Sequence, residues 1–172
     1  VDKEGNEREF LPDYFPTPAA ALDCVFLKGY QWPFDAAKVP GSSLIDLIVH
    51  HEIFHKGCRV YLDYTQNPKG LEQGFSSLSP EAYGYLERSG ALFGAPIDRL
   101  RHMNPQAIRL YASHGIFLER EPLEISVCAQ HNNGGLDVDC HWQTSLSGLY
   151  VAGEAAGTFG VTRPGGSALN ST

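Results

Sequence analysis

Five consecutive residues carry a recognisable metal pattern. His51-Glu52-Ile53-Phe54-His55 satisfies H-E-x-x-H. On a helix, positions i and i+4 share a face, so two imidazoles could hold zinc while Glu52 activates its water. That chemistry would make a zinc metallohydrolase. Against it, the helix has its stop signal at Lys56-Gly57, one residue past His55. His114, His131 and His141 stand at none of the third-ligand spacings such helices use. The plainer reading places His50, His51 and His55 in the last turns of a helix, where the dipole favours positive charge. No metal site is expected.

A second stretch offers different chemistry. Gly148-Leu149-Tyr150-Val151-Ala152-Gly153 is an apolar run bounded by glycines, followed by Glu154, then Arg163-Pro164-Gly165-Gly166-Ser167-Ala168-Leu169. A glycine-bounded strand lets bare backbone approach a planar ligand. Glu154, just past it, can accept hydrogen bonds from sugar-like hydroxyls. The Pro-Gly-Gly turn opens a helix whose free N–H groups favour negative charge. The Arg163 fork suits a carboxylate.

The elements that must position these residues are legible in outline. Gly5-Asn6 marks a turn in a strand–turn–strand edge over Asp2–Phe10. A short helix is expected near 18–27, with an ordered Pro- and aromatic-rich loop after it. Ser43-Leu44-Ile45-Asp46 matches a capping box, predicting a helix over 44–56. Arg59–Tyr64 alternates and reads as a strand. Residues 79–115 hold two or three helices, one starting at Ser79-Pro80-Glu81 and one at Asn104-Pro105 and ending at Gly115. Strands are expected over Leu123–Ala129, Leu136–Asp139 and Gly148–Gly153. The fold class is α+β: helices and a small sheet over 1–122, then a β-rich tail over 123–172. Both ends look cut, so the chain reads as a segment of a longer protein.

Composition sets the outer limits. The chain has 172 residues, 42% hydrophobic and 19% charged, ordinary values for a globular protein. A chain of this length buries roughly 70% of its unfolded surface. Its formal net charge is −7, with no Lys/Arg cluster, which argues against nucleic acid or an anionic membrane as partner. The apolar run Leu44–Val49 is interrupted by Asp46 and is far short of the roughly 20 residues of a membrane helix. Cys24, Cys58, Cys128 and Cys140 form no C-x-x-C pair, and free thiols in a reducing cytoplasm are expected.

The C-terminal stretch resembles the flavin-binding part of the fumarate reductase/succinate dehydrogenase flavoprotein family, which includes L-aspartate oxidase. The matching residues are Gly134-Gly135, Asp139, Thr144, Gly148-Leu149, Gly153-Glu154, Arg163, Gly165 and Leu169. More loosely, Asp2–Arg8 and Val60-Tyr61-Leu62-Asp63 resemble the entry hairpin and a strand of that family's capping, substrate-lid domain. The resemblance implies an FAD-dependent oxidoreductase moving hydride between the isoalloxazine N5 and a small, carboxylate-bearing substrate. It implies that Gly153, Glu154, Ser167, Ala168 and Leu169 bind the flavin, with Glu154 on the ribityl chain and the helix N-terminus facing the pyrimidine ring. Ser167 and Ala168 replace the family's usual Asn-Ser, but backbone N–H groups carry that contact. Arg163 matches the arginine that clamps a substrate carboxylate.

Three departures bear on the reaction. The family's substrate-binding His position is Gln130 here, with His131 one residue late, so Gln130 and His131 are the remaining candidates for substrate contact. Asn132-Asn133 stand for the usual Thr-Met. No Arg lies between Arg8 and Arg59, where the family's cap supplies a proton-delivering arginine; the nearest cation is Lys38. That absence speaks against fumarate or succinate itself. No G-x-G-x-x-G opens a strand–turn–helix, so the residues for the ADP half of FAD must lie in the remainder of the FAD domain. This chain alone is expected to bind FAD weakly or not at all. The partners implied are a small-molecule substrate, the remainder of that domain and an electron-transfer protein. A stand-alone interaction domain without catalysis is the other alternative.

Overall fold

The computed structural model describes residues 1–29, 31, 34–35, 38–39, 41–71, 74–128 and 135–157. The chain divides into two compact units, Val1–Val127 and Cys128–Thr172. The class is α+β, as the sequence predicts.

Proline and a capping side chain start most of the helices in the first unit. In α1 (Pro18–Lys28) the Thr17 hydroxyl accepts from the Ala20 amide at 3.2 Å. In α3 (Pro80–Arg88) Ser79 does the same for Ala82 at 3.3 Å, and the Ser79 amide donates to Asp23 of α1 at 2.7 Å. In α5 (Pro105–Ser113) the cap is Asn104, accepting from Ala107 at 3.2 Å. Each cap satisfies an amide that has no partner in the helix, and the proline occupies a position whose N–H would be unpaired. Helix α4 (Pro96–Met103) begins after Ala95, and there the Asp98 carboxylate reaches back to the Ala95 amide at 3.0 Å.

The capping box at Ser43 does not form. Helix α2 spans Leu44–His50 and runs into a π-helical turn, His51–His55. The Ser43 hydroxyl accepts from the Asp35 amide at 2.9 Å instead, and Asp46 pairs with Lys28 of α1. Tertiary partners have taken both members of the local motif.

Leu22, Leu71, Leu78, Ala82, Leu86 and Ala91 form the core, with Phe26, Phe75 and Tyr85 packed against it. Arg99, 7% exposed, closes one side of it. Its guanidinium donates to the Phe93 and Gly94 carbonyls at 3.1 and 2.7 Å and to Asn67 Oδ1 at 2.9 Å. The Phe26 and Phe75 rings lie 5.9 and 5.6 Å from it. This buried cation is thus held by neutral acceptors and aromatic faces.

The sheet has two antiparallel strands, β1 (Val60–Leu62) and β2 (Leu123–Ile125), in the register Val60↔Ile125, Tyr61↔Glu124, Leu62↔Leu123. Both are shorter than the sequence pattern suggests. Asp63 ends β1, because its carboxylate accepts from the Thr65 amide, the Thr65 hydroxyl and the Gln66 amide group at 2.7–2.8 Å and turns the chain. At the entry, Asp2 Oδ1 accepts from the Glu4 and Asn6 amides at 2.9 and 2.8 Å. The expected turn is there, but the flanking residues form no strand.

The expected strands Leu136–Asp139 and Gly148–Gly153 do not form. Among the described residues of the second unit, pairing is limited to the single bridges Gly135↔Ala156 and Gln143↔Tyr150. Gly148 and Gly153 both have positive φ, +83° and +68°. That breaks extended backbone at each end of the apolar run and leaves four residues between the breaks. Val151 is buried, whereas Leu149 and Tyr150 are exposed.

All four cysteines are free thiols, Cys24 and Cys58 half-buried and Cys128 and Cys140 exposed. Among the described residues, no helix is long and apolar enough to cross a membrane.

Candidate functional site

The described part of the glycine-rich stretch, 135–157, is a loop closed at its base by glycine against glycine. The Leu136 amide donates to the Ala155 carbonyl at 2.9 Å. A Cβ on Gly135 would fall 2.4 Å from the Gly157 nitrogen and 2.6 Å from the Ala155 oxygen, and one on Gly157 would fall 2.8 Å from the Gly135 Cα. Two backbones pass here at a distance that admits no side chain.

The middle of the loop is organised by Asp139. Its Oδ1 accepts from the His141 amide at 2.8 Å and the Gln143 amide at 3.0 Å. Its own amide donates to the Gln143 carbonyl at 2.9 Å, and its carbonyl accepts from the Trp142 amide at 3.0 Å. Enclosed by these bonds, Trp142 takes φ +64°, the one described non-glycine residue with positive φ. A bulky residue held there is strained by about 1–3 kcal/mol. The Trp142 carbonyl then accepts from the Val151 amide at 3.0 Å. At the tip, Thr144 donates its amide to the Leu149 carbonyl at 2.9 Å, and its hydroxyl accepts from the Leu146 amide at 3.1 Å.

Past Val151 the chain turns at Gly153 into a single 3-10 turn, Gly153–Ala155, closed by the Ala156 amide on the Gly153 carbonyl at 3.1 Å. A Cβ on Gly153 would meet no described residue within 4 Å, so its backbone is bare on that side among the described residues. Glu154 sits in the middle of this turn. Gly135, Asp139, Thr144, Gly148 and Gly153 of the motif thus each have a defined part in shaping one loop. Of the other predicted site residues, Gln130, His131, Arg163, Ser167, Ala168 and Leu169 lie outside the described residues, as does the helix expected after Gly166. Asp139 was legible as part of the motif, but the strain it imposes on Trp142 carries no sequence signal.

In the H-E-x-x-H segment the acidic residue is engaged by other side chains. Glu52, 1% exposed, is the centre of an ion cluster. Its Oε2 accepts from Arg8 at 2.8 Å, and its Oε1 from the Tyr14 hydroxyl at 2.7 Å and Lys56 at 2.8 Å. Arg8 also pairs with Asp13 at 2.5 Å. Burial pushes the Glu52 carboxyl up, but hydrogen bonds from Lys56 and Tyr14 and the charge of Arg8 outweigh it and hold it down at about 2. With both oxygens engaged by donors and so little basicity left, Glu52 is a poor base for a metal-bound water. The His51 and His55 rings stack with centroids 5.2 Å apart. Among the described residues, no group of three or more His, Cys, Asp or Glu side chains is arranged to hold a metal ion.

Comparison with known proteins points to the same family as the motif. An L-aspartate oxidase of Nostoc sp. is 28% identical over 134 residues, 72% of this chain and 22% of that protein. A fumarate reductase (CoM/CoB) subunit of Methanothermobacter marburgensis is 39% identical over 59 residues, 34% of this chain and 11% of that protein. An uncharacterized FAD-dependent oxidoreductase of Methanocaldococcus jannaschii is 36% identical over 75 residues, 43% of this chain and 13% of that protein. The chain therefore spans about a fifth or less of the length of these curated relatives. No protein-family model and no solved structure matches it. The resemblance read from its motifs is met by these comparisons: the chain is similar in sequence to proteins named L-aspartate oxidase, fumarate reductase and FAD-dependent oxidoreductase.

Proposed function

We propose that this chain is a segment of an FAD-dependent oxidoreductase acting on a small carboxylate-bearing substrate, with residues 1–122 as its substrate lid and 123–172 as part of its flavin domain. The observation that carries the reading is the similarity to L-aspartate oxidase and fumarate reductase sequences, found together with a loop whose closure depends on the motif's glycines.

The residues present fit such a cofactor. Among the described residues nothing crowds the backbone of Gly153, beside the turn that carries Glu154, which suits close approach of a flat ring system. FAD, when bound, supplies hydride transfer at its isoalloxazine N5. The chain's residues orient and neutralise. Glu154 would accept hydrogen bonds from the ribityl hydroxyls. If a helix begins at Ser167, the amides of Ser167, Ala168 and Leu169 would offer positive dipole ends to the pyrimidine ring. Arg163 would hold the substrate carboxylate through its guanidinium fork, and Gln130 and His131 would contribute hydrogen bonds to the rest of it. The absence of an arginine between Arg8 and Arg59 favours a substrate other than fumarate or succinate.

The test is the full-length protein that carries this chain. Purified or reconstituted with FAD, it is expected to show the visible absorption bands of a bound flavin, bleached by a suitable carboxylate substrate or reductant. Arg163→Met is expected to retain the flavin while losing about a hundredfold or more in kcat/KM for a carboxylate substrate. A protein that takes up no FAD overturns the reading.

A further inference from the structure

Resting on that reading, we infer that Asp139 is a positioning residue for the flavin-contacting turn and that it acts through the strained backbone of Trp142. Among the described residues, Asp139 makes no hydrogen bond to Gly153. It accepts from the amides on both sides of Trp142, His141 at 2.8 Å and Gln143 at 3.0 Å, while its carbonyl holds the Trp142 amide at 3.0 Å. Those three bonds keep Trp142 at φ +64°, where a tryptophan does not rest on its own account. In that conformation the Trp142 carbonyl receives the Val151 amide at 3.0 Å. Val151 is buried and lies two residues before Gly153, whose own φ of +68° starts the turn bearing Glu154. The chain of dependence runs from the Asp139 carboxylate to the Trp142 carbonyl, to the Val151 amide, to the Gly153–Ala155 turn. Remove the carboxylate and Trp142 relaxes toward negative φ. Its carbonyl swings off Val151 and the turn loses its anchor on that side, while its other anchor, at Gly135 and Ala155, stays.

Strain has a signature that simple loss of structure lacks, because glycine adopts φ near +64° freely. Four forms of the full-length protein distinguish the two by FAD titration: wild type, Asp139→Asn, Asp139→Ala, and Asp139→Ala with Trp142→Gly. Asn keeps the Oδ1 acceptor and is expected to bind FAD within about threefold of wild type. Asp139→Ala is expected to bind about tenfold more weakly. Adding Trp142→Gly is expected to recover most of that loss. Unchanged FAD affinity in Asp139→Ala, or a double variant as weak as the single one, overturns the inference. If wild type itself takes up no FAD, the functional reading fails, yet the lock is still judged by hydrogen exchange at the Val151 amide. That exchange should quicken about tenfold in Asp139→Ala and slow again with Trp142→Gly; failure of either change overturns the lock.

Discussion

The two units are held by different physics. In Val1–Val127, helices pack apolar side chains into a core around Leu22, Ala82 and Leu86, and capping side chains finish their ends. In the described part of Cys128–Thr172, order comes from backbone. A glycine–glycine crossing closes the loop, a carboxylate gathers amides, and Trp142, Gly148, Gly153 and Gly157 take left-handed conformations. The first kind of order depends on volume and tolerates exchange of one apolar residue for another of similar size. The second depends on single atoms and on which residues can take positive φ. A region of the second kind can be shaped around a ligand without a large core of its own.

Substitutions should separate the two modes. Leu22→Ala, at a site 2% exposed, is expected to cost about 3 kcal/mol in urea denaturation, as a cavity in a packed core does. Leu22→Met at the same position should cost under about 1.5 kcal/mol. If the two cost the same, the core is not volume-limited and the contrast falls.

Next comes Glu52. Its folded carboxyl is depressed from 4.5 to about 2, so it contributes stability above pH about 4.5, lost as pH falls toward about 2. Its cationic partners are partly exposed, so on the order of 2 kcal/mol is expected rather than the full value of the shift. Denaturation midpoints measured between pH 5 and pH 2 should drop for wild type and flatten over that window for Glu52→Gln. A wild-type profile no steeper than the variant's would remove Glu52 from the account.

Gly135→Ala should act locally. Its methyl group would strike the Gly157 and Ala155 backbone, so the Leu136 amide should lose protection from hydrogen exchange by about tenfold or more while the amides of α1 and α3 keep theirs. Equal loss in both regions would show that they are not separate modes of order. The smallest effect belongs to Glu124→Gln, which breaks the exposed pair with Arg59 at 2.6 Å; no measurable change in denaturation midpoint is expected.

What the sequence disclosed follows the same division. Helices α1, α3 and α5 were legible because Thr17-Pro18, Ser79-Pro80 and Asn104-Pro105 are local signals, complete within four residues. Ser43 and Asp46 carry an equally good local signal, but Asp35 and Lys28 compete for them, and only the fold reveals that. Glu52 shows a related limit, although spacing alone already argues against a metal. Its partners Arg8 and Tyr14 are 44 and 38 residues away, so five adjacent residues could suggest a metal while the actual partners stayed hidden. In the tail, apolar patterning over 136–139 and 148–153 predicted strands, yet such patterning cannot report whether a neighbouring strand exists to pair with. The glycine-bounded run 148–153 reads as a place for a planar ligand, whereas the close approach the structure shows is between Gly135 and Gly157. That crossing, and the tension stored at Trp142, were not legible.

The crossing at Gly135 and Gly157 also decides where this polypeptide can accept new sequence. Because the stem is fastened by backbone contact and by the Gln143↔Tyr150 bridge, the tip near Leu146 and Ser147 is tethered at both feet. Doubling the length of such a tethered arc adds only about 0.6 kcal/mol of closure entropy. Added residues at that tip, a grafted reporter peptide for example, are therefore expected to leave the stem undisturbed.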